Sequence, residues 1–184
     1  MINKSKTTVA HATHFDTKHI ALMKVAFGAL LLFGASQITI PLQPVPVTLQ
    51  TIAFMLIGLT YSPLLAFYTV SAWLIAGLAG APVFANFKFG VATLVGPTGG
   101  YIVGMCIASV VMAQVQKHFK KNSLLSIAGN CLLGALITHL FGVGYLASII
   151  GVSRAIELGF IPFILPGIAK TILLSGSVRF LRRV

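Results

Sequence analysis

Lys170 is the residue whose position asks most for an explanation. It lies in an apolar stretch from about Phe160 to Leu181, about ten residues from either end, or roughly 15 Å at helical rise. An ammonium at such a depth faces a partner or an aqueous cavity, so Lys170 is the first candidate to hold an anionic ligand group. A late helix start, leaving it at the outer interface, is the bland alternative. A second constellation runs from Pro82 through Phe84, Asn86, Lys88 and Gly90, then from Gly96 to Tyr101. Aromatic residues interleaved with one amide and one cation suit a small molecule with an apolar body and polar ends. They equally suit rings at a bilayer interface with Lys88 snorkelling to headgroups. A third group is Thr48, Gln50 and Thr51 after the proline-rich run Pro41 to Pro46, and a fourth is Arg154 with Glu157.

Catalysis has little to work with. The acids are Asp16 and Glu157 alone, which leaves paired-carboxylate acid–base chemistry without its groups. No GxSxG, HExxH or phosphate-cradling glycine loop occurs, so any ATP-driven step belongs to another polypeptide. Cys106 and Cys131 sit in apolar runs and read as small buried hydrophobes, with no metal site or cofactor expected. His139 has no acid or second histidine nearby in sequence, and a helix–helix hydrogen bond is its expected fate.

The elements that must position these residues are membrane helices. The chain of 184 residues is 57% hydrophobic and 8% charged, against about 25% charged for soluble domains. From Val25 through Phe87, 63 residues, there is no charged residue and no histidine, whereas one crossing needs about 20. Proline, glycine and charge divide the chain into six apolar segments: about 19–40, 48–61, 64–80, 98–117, 123–150 and 160–181. The second is short for a full crossing. A loop over 81–97 joins the third and fourth. The expectation is an all-α, polytopic membrane protein of six transmembrane helices: a tail over 1–18, then one domain over 19–184. Gly34-Ala35-Ser36 is a weak cleavage signal, and the long polar lead through His19 argues for an uncleaved first helix.

Net charge is +11, but its distribution points to topology rather than to nucleic acid. Lys4, Lys6, Lys18, Lys24, Lys117, Lys120, Lys121, Arg179, Arg182 and Arg183 flank apolar spans and fall on one side if both termini are cytoplasmic, as the positive-inside rule requires. Membrane lipids with anionic headgroups are their partners. Lys88 and Arg154 fall outside. Seven of the eight prolines also fall towards the outer side. Broken backbone at membrane depth is tolerated where it lines a cavity, which suggests a pocket opening outward; ordinary turn prolines explain the pattern as well.

The run Pro44-Val45-Pro46-Val47-Thr48-Leu49-Gln50-Thr51 resembles a signature of the BioY family. Gly96-Pro97-Thr98-Gly99-Gly100-Tyr101 resembles its second signature, with Pro82-Val83-Phe84 ahead of it. The resemblance covers about Ala21 to the C-terminus. It implies a substrate-binding S component of an energy-coupling-factor (ECF) transporter in the bacterial cell membrane. Such a subunit captures biotin from outside, with uptake driven by a transmembrane coupling subunit and two ATPases. The family pattern commonly has an acid just after the Pro-Gly of the last helix, shortly before a lysine. Here Pro166-Gly167-Ile168-Ala169-Lys170 keeps the cation and lacks the acid. On the first helix, Ala26, Gly28 and Ala29 resemble the small-residue face that docks the coupling subunit.

Biotin gives the pocket a physical sense. On this resemblance Phe84 and Tyr101 are expected to cover its fused rings, Asn86 to pair with the ureido edge and Lys170 to meet the carboxylate, with Thr48 and Gln50 also expected in the site. Lys88 and Arg154 are rival anchors for the carboxylate. Another vitamin's binding subunit, a small-solute channel and an intramembrane enzyme are the other classes these residues admit. A single chain and a homo-oligomer are both compatible with them.

Overall fold

A computed structural model describes the backbone of residues 4–118 and 123–181, with side chains from Lys18 to His118 and from Ser123 to Arg179. The side chains of Lys4, Lys6, Asp16, Lys120, Lys121, Arg182 and Arg183 lie outside the described residues. Each of the six apolar segments holds a helix. These are α1 (Lys4–Gln37), α2 (Gln50–Thr60), α3 (Pro63–Leu78), α5 (Gly99–His118), α6 (Leu124–Ile150) and α8 (Ile161–Leu181). Two short α-helices lie between them, α4 (Val91–Val95) and α7 (Val152–Gly159), with a single 3-10 turn over Ala85–Phe87. Helix α1 passes without a break through the expected boundary at residue 18.

Among the described residues, four spans are long and apolar enough to cross a membrane: Lys18–Gln37, Gly99–His118, Leu124–Ile150 and the stretch Val152–Arg179 that joins α7 to α8. Helices α2 and α3 are apolar but shorter. The 11 residues of α2 reach only about 16 Å, roughly half the hydrocarbon thickness. A small antiparallel hairpin precedes it, pairing Thr39 with Thr48 and Ile40 with Val47. This departs from the all-α expectation, and Thr48 belongs to a strand rather than to the helix. The reason is local: Pro41, Pro44 and Pro46 deny helical donors over this stretch, and the two flanking dipeptides pair with each other instead.

Local signals start the other helices. Ser62 accepts a hydrogen bond from the Leu65 amide ahead of Pro63 in the first turn of α3. Ser123 does the same for Ser126 at the start of α6. Both are N-caps that satisfy an otherwise orphaned donor. Helix α7 was not foreseen. It buries Ala155 and Gly159 and leaves Arg154 and Glu157 exposed, which is the pattern of an amphipathic cap rather than a crossing.

Packing between α5 and α6 depends on small residues. A Cβ added at Gly100 would stand 2.5 Å from the Phe141 carbonyl oxygen, and one at Gly104 2.9 Å from that of Thr138. The spacing is the small-xxx-small pattern that lets two helix backbones approach inside a membrane. The core around them holds Leu32, Phe54, Trp73, Phe84, Tyr101 and Leu146. Phe54, Trp73 and Phe84 stack edge to face at 5.5 and 5.0 Å, which ties the 81–97 loop to α2 and α3.

The small-residue face expected on α1 is divided. Gly28 is buried, and a Cβ there would stand 2.6 Å from the Thr69 side chain on α3. Ala29 packs against the core, and only Ala26 is exposed. Helical geometry separates Ala26 from Gly28, because residues two apart do not share a face. The exposed side of α1 is apolar and bulky instead, with Leu22, Met23, Phe27 and Leu30 all about two-thirds exposed.

Candidate ligand-binding site

One cavity gathers most of the polar residues singled out from the sequence. It encloses about 650 Å³ of empty space, its open mouth included. Thr48, Gln50, Phe84, Asn86, Lys88, Tyr101 and Lys170 all line it. They come from the hairpin, α2, the 81–97 loop, α5 and α8, segments up to 122 residues apart. Arg154 is not among the lining residues. It stands exposed on α7, whose buried positions are Ala155 and Gly159.

The inner end of the cavity is buried and ordered. Lys170 Nζ donates to the Thr48 carbonyl at 2.6 Å and to Thr51 Oγ1 at 2.8 Å. An ammonium has three donors, so one remains for a ligand. Among the described residues Lys170 has no ion pair, and no lining residue is acidic. Gln50 is 3% exposed, and its Nε2 is buried with no protein partner. A buried donor left unpaired is costly, which marks the space before it as the place for an acceptor. Tyr101 donates its hydroxyl to the Gly159 carbonyl at 2.7 Å and stacks on Phe163 with ring centroids 5.8 Å apart.

The sequence did not place Phe163 or His139 here. His139 was expected to bond another helix. It instead pairs Nδ1 with the Ala135 carbonyl of its own helix at 2.8 Å. It lines the cavity beside Lys170, edge-on to Tyr101, Phe160 and Phe163 at 6.2, 5.5 and 5.7 Å. Its depth in α6 matches that of Lys170 in α8, both about ten residues from the helix end next to α7. That coincidence was the one available signal.

The position directly after Pro166-Gly167 is answered by geometry. Ile168 is half exposed and does not line the cavity. Gly167 does face inward, one turn before Lys170, where an adjoining space is shared by Thr51, Thr138, His139, Phe163 and Lys170. A Cβ at Gly167 would meet nothing within 4 Å.

The mouth is built differently. Asn86 and Phe87 both take left-handed backbone angles, φ 58° and 56°, a conformation rare for non-glycine residues and strained for a bulky one. Bonds to α1 hold them there. Gln37 donates Nε2 to the Phe84 carbonyl at 3.2 Å and accepts from the Phe87 amide at 2.9 Å. Thr39 donates to Asn86 Oδ1 at 3.0 Å, which leaves the Asn86 Nδ2 donors for the cavity. Ser36 and Trp73 both donate to the Val83 carbonyl. Lys88 is exposed at this rim.

A helical, membrane-type fold around a polar-ended cavity that opens at a rim suits the binding of a small molecule. The chain belongs to the BioY family, whose model matches residues 5–184. It is 34% identical to a probable biotin transporter BioY of Rickettsia prowazekii, over 92% of this chain and 87% of that protein. It is 39% identical to a probable biotin transporter BioY of Pyrococcus horikoshii, over 83% and 89%. The biotin transporter BioY of Thermotoga maritima is 37% identical over 75% and 80%. The fold matches the crystal structure of the S component for biotin from an ECF-type ABC transporter with a TM-score of 0.83. That match has 24% identity and covers 92% of this chain and 94% of the other.

Proposed function

We propose that the chain is the S component that captures biotin at the outer side of the cell membrane, for uptake coupled to a separate ECF module. The observation that carries this reading is the cavity itself. Its buried end holds an ammonium without a counter-charge and a glutamine donor without a partner. Its walls carry Phe84, Tyr101 and Phe163, and a second cation, Lys88, stands at the rim. Biotin brings the complementary groups: fused apolar rings, a ureido edge with both donors and an acceptor, and a carboxylate on a flexible tail. Family membership supports the same ligand. Titration of the detergent-purified protein tests it. One-site, saturable binding of biotin in preference to unrelated vitamins is expected, and tighter binding of another vitamin overturns the assignment.

The membrane arrangement belongs to the same proposal. Helices α1, α2, α3, α5, α6 and α8 form six spans with both termini in the cytoplasm, and the hairpin completes the crossing that α2 begins. The charge asymmetry supports this orientation, although residues 119–122 of its central turn lie outside the described residues. A thiol introduced near Lys88 should be labelled from outside in intact cells. Outside labelling of one near Lys120 reverses the topology.

The energy source is the third part. With no phosphate-binding loop in the sequence, a transmembrane coupling subunit and two ATPases supply the ATP step. The purified chain should bind ligand and hydrolyse no ATP; hydrolysis that point variants of this chain abolish excludes the arrangement. The exposed apolar side of α1, from Leu22 to Leu30 and including Ala26, is the face offered to lipid or to the coupling subunit.

A further inference from the structure

We propose that His139 is a ligand-reading acceptor, and that biotin therefore enters with its ureido edge inward and its carboxylate at the rim beside Lys88. This assignment rests on the biotin reading above and deepens it. The Nδ1 of His139 is 2.8 Å from the Ala135 carbonyl. A carbonyl only accepts, so Nδ1 carries the hydrogen, and in the neutral ring Nε2 then presents a lone pair. That Nε2 is buried with no protein partner. Three aromatic rings stand within 6.2 Å of the imidazole and keep it from turning the lone pair elsewhere.

The inner end thus offers two kinds of group together. Lys170 has one donor left after Thr48 and Thr51, Gln50 has its free Nε2, and His139 has a fixed acceptor. A carboxylate accepts and never donates. It would satisfy Lys170 and Gln50 but leave an anion facing the histidine lone pair. A cyclic urea satisfies all three, because its carbonyl accepts from the donors while an adjacent N–H donates to His139. Shape agrees with chemistry. The stacked Tyr101–Phe163 pair gives a flat wall against which a planar ring system can lie. The carboxylate then stays near water at the exposed Lys88, where its desolvation is least.

The test crosses protein and ligand changes in titrations of the purified full chain. The ligands are biotin, biotin amide, and the two cyclic-carbamate analogues in which one ureido N–H is replaced by oxygen. His139→Phe keeps the ring packing and removes the acceptor. It should weaken biotin binding by about 10- to 100-fold. The unmodified protein should reject one carbamate analogue by a similar factor, and the variant should not distinguish that analogue from biotin. The amide should lose affinity for the unmodified protein but little for Lys88→Met. Unchanged biotin affinity in His139→Phe, or a carbamate penalty that persists in it, overturns the acceptor role. An amide penalty that vanishes in Lys170→Met instead of Lys88→Met reverses the orientation. If His139→Phe does not fold, His139→Gln and the carbamate analogues on the unmodified protein decide the matter; equal affinity for both analogues and biotin sinks the proposal. No saturable binding of biotin by the unmodified protein overturns the functional reading itself.

Discussion

At the inner end of the cavity, Gln50, Tyr101, His139 and Lys170 stand on four helices. Among neighbouring side chains, each is pinned by a hydrogen bond, a ring contact or close packing. At the mouth, Asn86 and Lys88 stand on an exposed loop whose backbone is held in a strained form by Gln37 and Thr39. The same few residue types therefore act under different physics. Inside, a lost hydrogen bond leaves a buried group with no replacement, so each contact weighs heavily. Outside, water replaces whatever is removed, and the loop contributes mainly shape and an approach field.

Four substitutions test that contrast. The largest effect is expected from Lys170→Met, which removes the buried charge while keeping length. A charge-assisted bond is worth about 1.5–3 kcal/mol, so biotin affinity should fall roughly 10- to 150-fold. A change under threefold places the anchoring donors elsewhere. Next comes Tyr101→Phe, which strands the Gly159 carbonyl without its 2.7 Å donor. A loss near 1 kcal/mol lowers the midpoint of thermal unfolding by about 2–4 °C for a chain of this size, with a smaller effect on affinity. An unchanged midpoint shows that the α5–α7 tie contributes nothing to stability.

Lys88→Met should cost less, about two- to fivefold, as exposed ion pairs contribute at most about 1 kcal/mol. Its signature is salt: affinity of the unmodified protein should decline as ionic strength rises, and the variant should lose most of that dependence. A salt-independent unmodified protein removes Lys88 from the carboxylate's company. The smallest effect belongs to Arg154→Ala. The residue is exposed and off the cavity, so biotin affinity should stay within experimental error, and a tenfold loss would return Arg154 to the site.

The sequence made the helices legible because period and polarity agree over long stretches. The charge-free run from Val25 to Phe87 and the clusters of Lys and Arg leave few other readings. The hairpin at Thr39–Thr48 was legible only as a broken stretch, since two-residue strands carry no alternation to detect. Helix α7 was hidden in the same way, because eight residues with an apolar side merge with the apolar segment that follows. Lys170 and the Asn86–Lys88 loop were visible as exceptions to their surroundings. His139 was not, because its meaning comes from three rings and a lysine that only the packing of α5, α6 and α8 brings together. Gly28 shows the limit of small-residue patterns: such a residue on a helix looks the same whether it meets a partner subunit or packs against the chain's own Thr69.

The bond from Lys170 to the Thr48 carbonyl spans 122 residues of chain, and that span has a consequence for biogenesis. Synthesis proceeds from the N-terminus, so the hairpin and α2 are made long before α8 leaves the ribosome. Until then the Thr48 carbonyl, in the strand just ahead of the half-length helix, has no ammonium to donate to it. The binding site is thus the last part of the molecule to exist. A chain halted after α6 should insert into membranes yet retain no biotin, and a nascent subunit stays inert towards its ligand until translation is nearly finished.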